Sequence, residues 1–374
     1  MEQEAWKAWG AARDAYVGSA HATGRAARWA VDEHPGAVAA AVATAFAVAV
    51  PYMVWSRVLR GSHREPLWWP ADKLCRLLLL LFLVSPALYL WPSATWPLTG
   101  AYAVTYLDDA EKTGRRSSEW IRGWGLWRVL GRYFGVKLVN TGPPLDPRRQ
   151  YVIGVHPHGI LPVCTMVMLQ TPVCGAAGRW FLNGVDLRGL VASFAFCIPG
   201  LRELFLGGGM GDASRYVAHR HLNAGRSVVL TPGGAHEALY AGTHRLVLQR
   251  RKGFVKLALE HGASLVPMYC FGESEIFTQS RNVPLWLRRL QFATQKFFGI
   301  PIPFFLVGAG PLGLWPRKVQ VTGVVGEPIP VPRVPYPTAA QVDALHERYV
   351  AAVRDLFDTH HHAYMTPKQP LDIR

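Results

Sequence analysis

Two long apolar blocks mark the first third of the chain. Residues 37–55 are uncharged and rich in alanine and valine, and residues 77–91 form a second block rich in leucine. The first block has 19 residues, which is just enough for a helix to cross a bilayer. Because a short connector joins the blocks, residues 37–107 are predicted to form a membrane hairpin. The alternative is a pair of helices buried in a protein core.

Two further segments are rich in aromatic residues but contain no spanning block. Residues 1–36 have three tryptophans among alanines and mixed charges, which is typical of an interfacial helix or of a weakly ordered tail. Residues 281–316 have seven Phe and Trp residues with basic residues between them, and prolines leave no room for a whole span. This second segment is predicted to contact the membrane; a hydrophobic part of the core is the alternative.

From residue 108 onward, charged residues return and strand-like runs alternate with helical periodicity. The candidate strands are residues 151–155, 227–231, 264–269 and 319–325. The candidate helices are residues 212–223, 250–261 and 339–358. Such alternation predicts an α/β domain over residues 108–374, with a mostly parallel sheet and flanking helices.

Composition favours a membrane protein with an anionic partner. Only 17% of the residues are charged, which is below the quarter typical of soluble domains. The net charge of +15 suits lipid headgroups, a phosphate-bearing substrate or nucleic acid. No nucleic-acid motif accompanies this charge, so nucleic acid is not an expected partner. The five cysteines are scattered and form no CxxC pair, so they are predicted to be reduced thiols.

The predicted strand 151–155 leads into two histidines separated by one proline. Pro157 favours an extended backbone at His156, and an extended chain would point His156 and His158 to the same side. Gly159 then permits a turn and the close approach of a ligand. Open α/β sheets bind ligands at the carboxyl ends of their strands. From spacing alone, a catalytic pair and a pair of inert loop histidines are equally good interpretations.

A second group of candidates follows the predicted strand 227–231. Gly233 and Gly234 free backbone N–H groups for a ligand or an oxyanion, and Glu237 is a carboxylate able to orient an imidazole. Taken alone, this segment is better interpreted as a strand-to-helix turn with an exposed glutamate. Together with a histidine base, however, it suits the transfer of an acyl group from a thioester to a hydroxyl.

Several longer motifs lie in order along the domain. They are Gly-Arg-Arg-Ser at 114–117, Tyr-Val-Ile-Gly-Val-His-Pro-His-Gly at 151–159, Pro-Gly-Leu-Arg-Glu at 199–203, Gly-Gly-Ala-His-Glu at 233–237, Arg-Lys-Gly-Phe-Val-Lys-Leu-Ala at 251–258, Leu-Val-Pro-Met-Tyr-Cys-Phe-Gly-Glu at 265–273 and Val-Val-Gly-Glu-Pro-Ile at 324–329. With them the chain resembles the type-2 diacylglycerol acyltransferase family, which includes monoacylglycerol and wax-alcohol acyltransferases.

The resemblance implies an acyl-CoA-dependent O-acyltransferase with a glycerolipid-acyltransferase-like α/β fold. It implies a place in the endoplasmic reticulum membrane and on lipid droplets, with membrane lipids as partners. Acyl-CoA is then a co-substrate, and neither a cofactor nor a metal is expected. Diacylglycerol is the first choice of acceptor, with monoacylglycerol or a long-chain alcohol as the alternative. A non-catalytic lipid-binding membrane protein and a metallohydrolase using the histidines are hypotheses of other classes.

The motifs also assign roles to single residues. His158 is the favoured general base, His156 supports it or shares the role, and Glu237 orients the base. The residues expected to bind substrate are Pro157, Gly159, Gly233, Gly234, Arg202, Arg251 and Lys252. The basic members of this set match the phosphates of coenzyme A. His236 departs from the small residue expected at its position, and the oligomeric state is not set by the sequence.

Overall fold

The computed structural model describes most of the chain that follows the predicted hairpin. The described residues are 99–160, 162–279, 283–298, 306–310, 313, 315–365 and 370–374. The predicted tail 1–36 and residues 37–98 of the predicted hairpin lie outside them. Residues 99–104 are helical, and a 3-10 turn follows at Thr105–Leu107. Among the described helices, none has both the length and the apolar character needed to cross a bilayer.

A seven-stranded sheet forms the centre of the domain. In chain order the strands of the described residues are β1 (Lys137–Asn140), β2 (Tyr151–His156), β3 (Leu187–Val191), β4 (Met210–Asp212), β5 (Ser227–Leu230), β6 (Arg245–Leu246), β7 (Ser264–Phe271), β8 (Thr278–Gln279), β9 (Leu306–Val307), β10 (Thr322–Val325) and β11 (Asp372–Ile373). The main sheet has the order β1-β10-β7-β2-β5-β3-β4. Its pairs are parallel except for β10 with β7, which confirms the predicted mostly parallel sheet.

Helices cover both faces of this sheet. They are α1 (Ala110–Thr113), α2 (Glu119–Arg122), α3 (Gly125–Tyr133), α4 (Gly175–Leu182), α5 (Leu201–Gly207), α6 (Arg215–Asn223), α7 (Gly253–His261), α8 (Leu285–Phe298) and α9 (Ala339–Tyr364). Short helical turns connect them at Cys164–Met168, Pro172–Cys174, Ser193–Cys197, Gly234–Tyr240 and Glu273–Glu275.

The central strands β2 and β7 are buried along their whole length. Because side chains alternate across a strand, Val152 packs into one hydrophobic cluster, with Phe254 and Tyr349, and Ile153 packs into the other, with Trp127. Burial on both faces explains why these strands are almost continuously apolar. The carboxyl end of β2 is thereby held rigidly at the middle of the sheet.

The predicted helix 339–358 is confirmed and is longer than expected. The Thr338 hydroxyl accepts from the Gln341 N–H at 3.3 Å, and Gln341 Oε1 accepts from the Thr338 N–H at 2.9 Å. This capping box satisfies two N–H groups that the first turn leaves without partners. The helix then continues to Tyr364 and includes the three consecutive histidines. Its buried face anchors the helix along β7 and β10.

The prediction of reduced cysteines is wrong for one pair. Cys164 and Cys270 form a disulfide, whereas Cys174 and Cys197 are free. The two bonded residues lie 106 positions apart in the sequence, so spacing offered no sign of a pair. Cys75 lies outside the described residues.

Candidate active site

The candidate site lies where two adjacent parallel strands end. Val152 of β2 pairs with Val228 of β5, and Gly154 pairs with Leu230. Parallel strands that share a register end at the same edge of the sheet. The turn that follows β2 and the turn that follows β5 therefore meet. This register brings the histidine pair together with the glycine-rich segment around Glu237.

His156 is the last residue of β2 and is fully buried. Its Nε2 lies 3.0 Å from the Tyr349 hydroxyl, which lies 3.1 Å from the Gly154 carbonyl oxygen. Since the carbonyl only accepts, the hydroxyl donates to it and His156 Nε2–H donates to the hydroxyl. Burial lowers the pKa of His156 to about 3, so the ring is neutral. His156 therefore links β2 to α9 inside the core.

His158 occupies a different environment from His156. Its ring is half-buried, and Nδ1 lies 2.8 Å from the Gly159 carbonyl oxygen. Because a carbonyl accepts only, Nδ1 carries the proton and the neutral ring has its lone pair on Nε2. Burial lowers the pKa of His158, and the hydrogen bond to Gly159 partly opposes this effect. The prediction that the His156 and His158 rings point to the same side required an extended chain through both residues, and β2 ends at His156.

Glu237 is a buried carboxyl that joins two segments through backbone hydrogen bonds. Its Oε2 accepts from the His158 N–H at 2.9 Å, and its Oε1 accepts from the Val247 N–H at 2.9 Å. Burial raises its pKa to about 7, while these two hydrogen bonds and the charge of Arg251 act in the opposite direction. In this arrangement Glu237 positions the backbone of His158, and the Gly159 carbonyl orients the imidazole.

Two glycines shape the space around these groups. Gly159 has a φ of +58°, and a Cβ there would lie 3.1 Å from two atoms of Glu273. Glycine is favoured at such a left-handed, crowded position. At Gly233, a Cβ would overlap the Glu237 carboxyl. At Gly234, the N–H donates to the Thr231 carbonyl oxygen at 2.9 Å, so that N–H is already engaged.

Glu273 is a second buried carboxyl beside the same turn, and no role for it was predicted from the sequence. It accepts from the Cys164 N–H at 3.1 Å, and burial raises its pKa well above the usual range. Because a Cβ at Gly159 would lie only 3.1 Å from Glu273, this residue lies directly beside the turn that contains His158. A glutamate directly after Gly272, at the end of a buried strand, was the signal available in the sequence.

The three basic candidates lie in unlike environments. Arg202 is fully buried, and its guanidinium donates to Asp108 at 3.1 Å and to Glu203 at 2.9 Å. Lys252 pairs with Asp343 at 2.7 Å. Arg251 is exposed and is close enough to lower the pKa of Glu237. The structure thus places Arg202 in an ion-pair cluster, not on an open basic surface.

The predicted membrane contact at 281–316 falls partly within the described residues. Helix α8 lies there, with Leu285 and Trp286 about two-thirds exposed. Trp315 is exposed to a similar degree. Among the described residues these are some of the most exposed large apolar side chains.

This chain is similar to a group of known proteins. The family model described as "Diacylglycerol acyltransferase" matches residues 88–374. Human 2-acylglycerol O-acyltransferase 3 is 40% identical over 72% of this chain and 81% of its own length. Human diacylglycerol O-acyltransferase 2 is 34% identical over 75% of each chain.

One solved structure is distantly similar. The crystal structure of PlsC, the 1-acyl-sn-glycerophosphate acyltransferase from Thermotoga maritima, aligns with a TM-score of 0.38 at 12% identity. The alignment covers 80% of this chain and 99% of that one. A TM-score of this size is too low to establish a common fold.

Proposed function

Because this chain belongs to the diacylglycerol acyltransferase family, we propose that it transfers an acyl group from acyl-CoA to diacylglycerol and so makes triacylglycerol. The chain is an O-acyltransferase, as its relatives are. The observation that supports a histidine base is the geometry of His158. Its Nδ1–H is held by a carbonyl, which leaves Nε2 free to take a proton.

The reaction then needs one base and one oxyanion site. His158 Nε2 removes the proton of the acceptor hydroxyl while the hydroxyl oxygen attacks the thioester carbonyl carbon. The tetrahedral intermediate collapses, the carbon–sulfur bond breaks, and the coenzyme A thiolate takes the proton from the imidazolium. The Gly159 carbonyl stabilises that imidazolium. We assign the oxyanion to the N–H of Gly233, because the N–H of Gly234 already donates to the Thr231 carbonyl oxygen.

A 2-acylglycerol is the second candidate acceptor. The support for it is that human 2-acylglycerol O-acyltransferase 3, at 40% identity, is more similar to this chain than human diacylglycerol O-acyltransferase 2, at 34%. Both acceptors are apolar molecules that end in a hydroxyl, so His158 would act in the same way on either. A long-chain alcohol would be used likewise.

We further propose that the enzyme works at the endoplasmic reticulum membrane or the lipid droplet surface. The exposed Leu285 and Trp286 of α8 and the exposed Trp315 support contact with a bilayer. The net charge of +15 favours anionic headgroups. The acceptor lipid would reach the site from that membrane.

The acceptor is tested with labelled acyl-CoA in membranes from cells that lack their own neutral-lipid synthases. Diacylglycerol, monoacylglycerol and a fatty alcohol are supplied together, and the labelled products are separated. Most of the label is expected in triacylglycerol at early times. Label confined to diacylglycerol or wax ester would overturn the choice of acceptor. Label in none of the three products, with the protein present at normal levels, would overturn the proposed reaction itself.

A further inference from the structure

A cavity of about 640 Å³ lies at the end of the Gly234–Tyr240 helix, which also contains Glu237. Its lining includes Tyr240, Arg245, Arg288, Phe292 and Arg317. These residues come from the turn after β5, from β6, from α8 and from the segment before β10. Neither the histidine pair nor Glu237 lines this cavity, so the proposed chemistry leaves it without a role.

The cavity carries an excess of positive charge. Arg245 pairs with Asp372 at 2.7 Å and lies over the Tyr240 ring at 5.0 Å. Arg288 and Arg317 have no carboxylate at ion-pair distance among the described residues. Burial raises the pKa of Glu275, and the charge of Arg317 partly opposes that rise. The two groups therefore interact electrostatically but are too far apart to form an ion pair. Two guanidinium groups are therefore available to an anion, and guanidinium groups bind phosphate in a bidentate manner.

Aromatic rings lie beside these arginines. The Tyr240 and Phe292 centroids are 6.0 Å apart, and the His236 ring contacts both at 5.7 and 5.8 Å. Rings grouped in this way offer a surface on which a flat heterocycle can stack. Phosphate-binding cations next to a stacking surface match the chemistry of a nucleotide.

The cavity also lies within reach of the reacting groups. One short helix, Gly234–Tyr240, contains both Glu237 and Tyr240. At about 2 Å of rise per residue in a 3-10 helix, Tyr240 is roughly 6 Å further along than Glu237. Glu237 accepts a hydrogen bond from the His158 backbone N–H. A flexible linker of modest length would therefore be enough to join a ligand in the cavity to a group at His158.

A second cavity among the described residues has the opposite character. Its volume is about 600 Å³, and two basic residues, Lys252 and Arg354, line it together with four carboxylates. Those carboxylates belong to Asp343, Glu347, Asp355 and Asp358. Acidic groups at this density repel phosphate, and Lys252 is already paired with Asp343. That cavity is a poor match for a polyanion.

We propose that the arginine-lined cavity binds the nucleotide part of acyl-CoA, with phosphates on Arg288 and Arg317 and adenine against Tyr240 and Phe292. This inference rests on the proposed function, since it takes acyl-CoA as the donor. The pantetheine arm then extends along the Gly234–Tyr240 helix and delivers the thioester to His158. The cavity thereby selects for donors that have the nucleotide.

This assignment is tested by measuring the activity of two arginine-to-glutamine variants with two different acyl donors. Arg288→Gln and Arg317→Gln are each expected to raise KM for acyl-CoA by about tenfold, through the loss of charge-assisted hydrogen bonds. The value of kcat should change little, because the interaction is equal in the ground state and the transition state. With S-acyl-pantetheine, which lacks the nucleotide, the variants and the parent enzyme should react alike.

Arg289→Gln is the matched control, because Arg289 lies on the same helix but does not line the cavity. An unchanged KM for acyl-CoA in both variants would overturn the inference while the proposed reaction stood. Equal losses with acyl-CoA and acyl-pantetheine would also overturn it, as would a loss that depended on anionic lipid in the assay. If the parent enzyme used neither donor, the proposed function would fail instead.

Discussion

His158→Gln is expected to lower kcat for acyl transfer by roughly 10²- to 10⁴-fold, which is the usual contribution of a general base. Glutamine has a similar size and keeps a polar end group, but it cannot take a proton near neutral pH. His158 is half-buried at a turn, and its ring hydrogen-bonds only to the next residue's carbonyl among the contacts described. The substitution should therefore leave the fold intact.

The measurement is the initial rate of acyl transfer at saturating donor and acceptor, divided by the amount of folded protein. His360→Gln is the control, since His360 lies on α9 eleven residues beyond Tyr349, which is about 16 Å further along the helix axis. A His158→Gln enzyme that retained more than about a tenth of the parent rate would contradict its assignment as the base.

Gly154→Ala is expected to destabilise the fold by about 2–4 kcal/mol, through overpacking of a buried position. A Cβ at this position would overlap the Tyr349 hydroxyl, which hydrogen-bonds to both Gly154 and His156. Tyr349→Phe alone should cost about 1–3 kcal/mol, because it leaves the His156 N–H and the Gly154 carbonyl without that partner.

The two substitutions should partly offset each other. Removing the Tyr349 hydroxyl leaves the ring carbon Cζ as the nearest tyrosine atom, 3.0 Å from the added Cβ. The double variant is therefore expected to lose less free energy of unfolding than the two single variants together, by about 1 kcal/mol or more. Denaturation of the detergent-solubilised protein, followed by tryptophan fluorescence, measures this. Tyr336→Phe, at an exposed position, is the control. Strict additivity would contradict the close packing of Tyr349 against Gly154.

The sequence predicted those strands that are buried on both faces. β2, β5 and β7 are continuous apolar runs because helices cover both sides of the central sheet. The strands that were not predicted, such as β3 and β4, lack a continuous apolar run. β3 contains Arg188 and Gly189, and β4 has only three residues. Their pairing depends on neighbours in the sheet, which a local pattern does not contain.

The candidate site was predictable in its parts but not in its contacts. The histidine pair and the glycine-rich segment were both found, and parallel pairing of β2 with β5 brings them together. The partners of His156 and Glu237 were not predictable. Tyr349 is 193 residues from His156, and Glu237 binds a backbone N–H where an imidazole was expected. Both contacts depend on tertiary packing.

The most direct test of the central claim is the pH dependence of kcat/KM between about pH 5 and about pH 9. This profile reports the pKa of the essential base in the free enzyme. The neutral form of His158 is the active one and burial lowers its pKa, so activity should fall only as the pH drops below 6.5. The residual activity of His158→Gln should lack this acid limb. An acid limb centred near 7, the pKa of Glu237, and retained in His158→Gln would contradict the account.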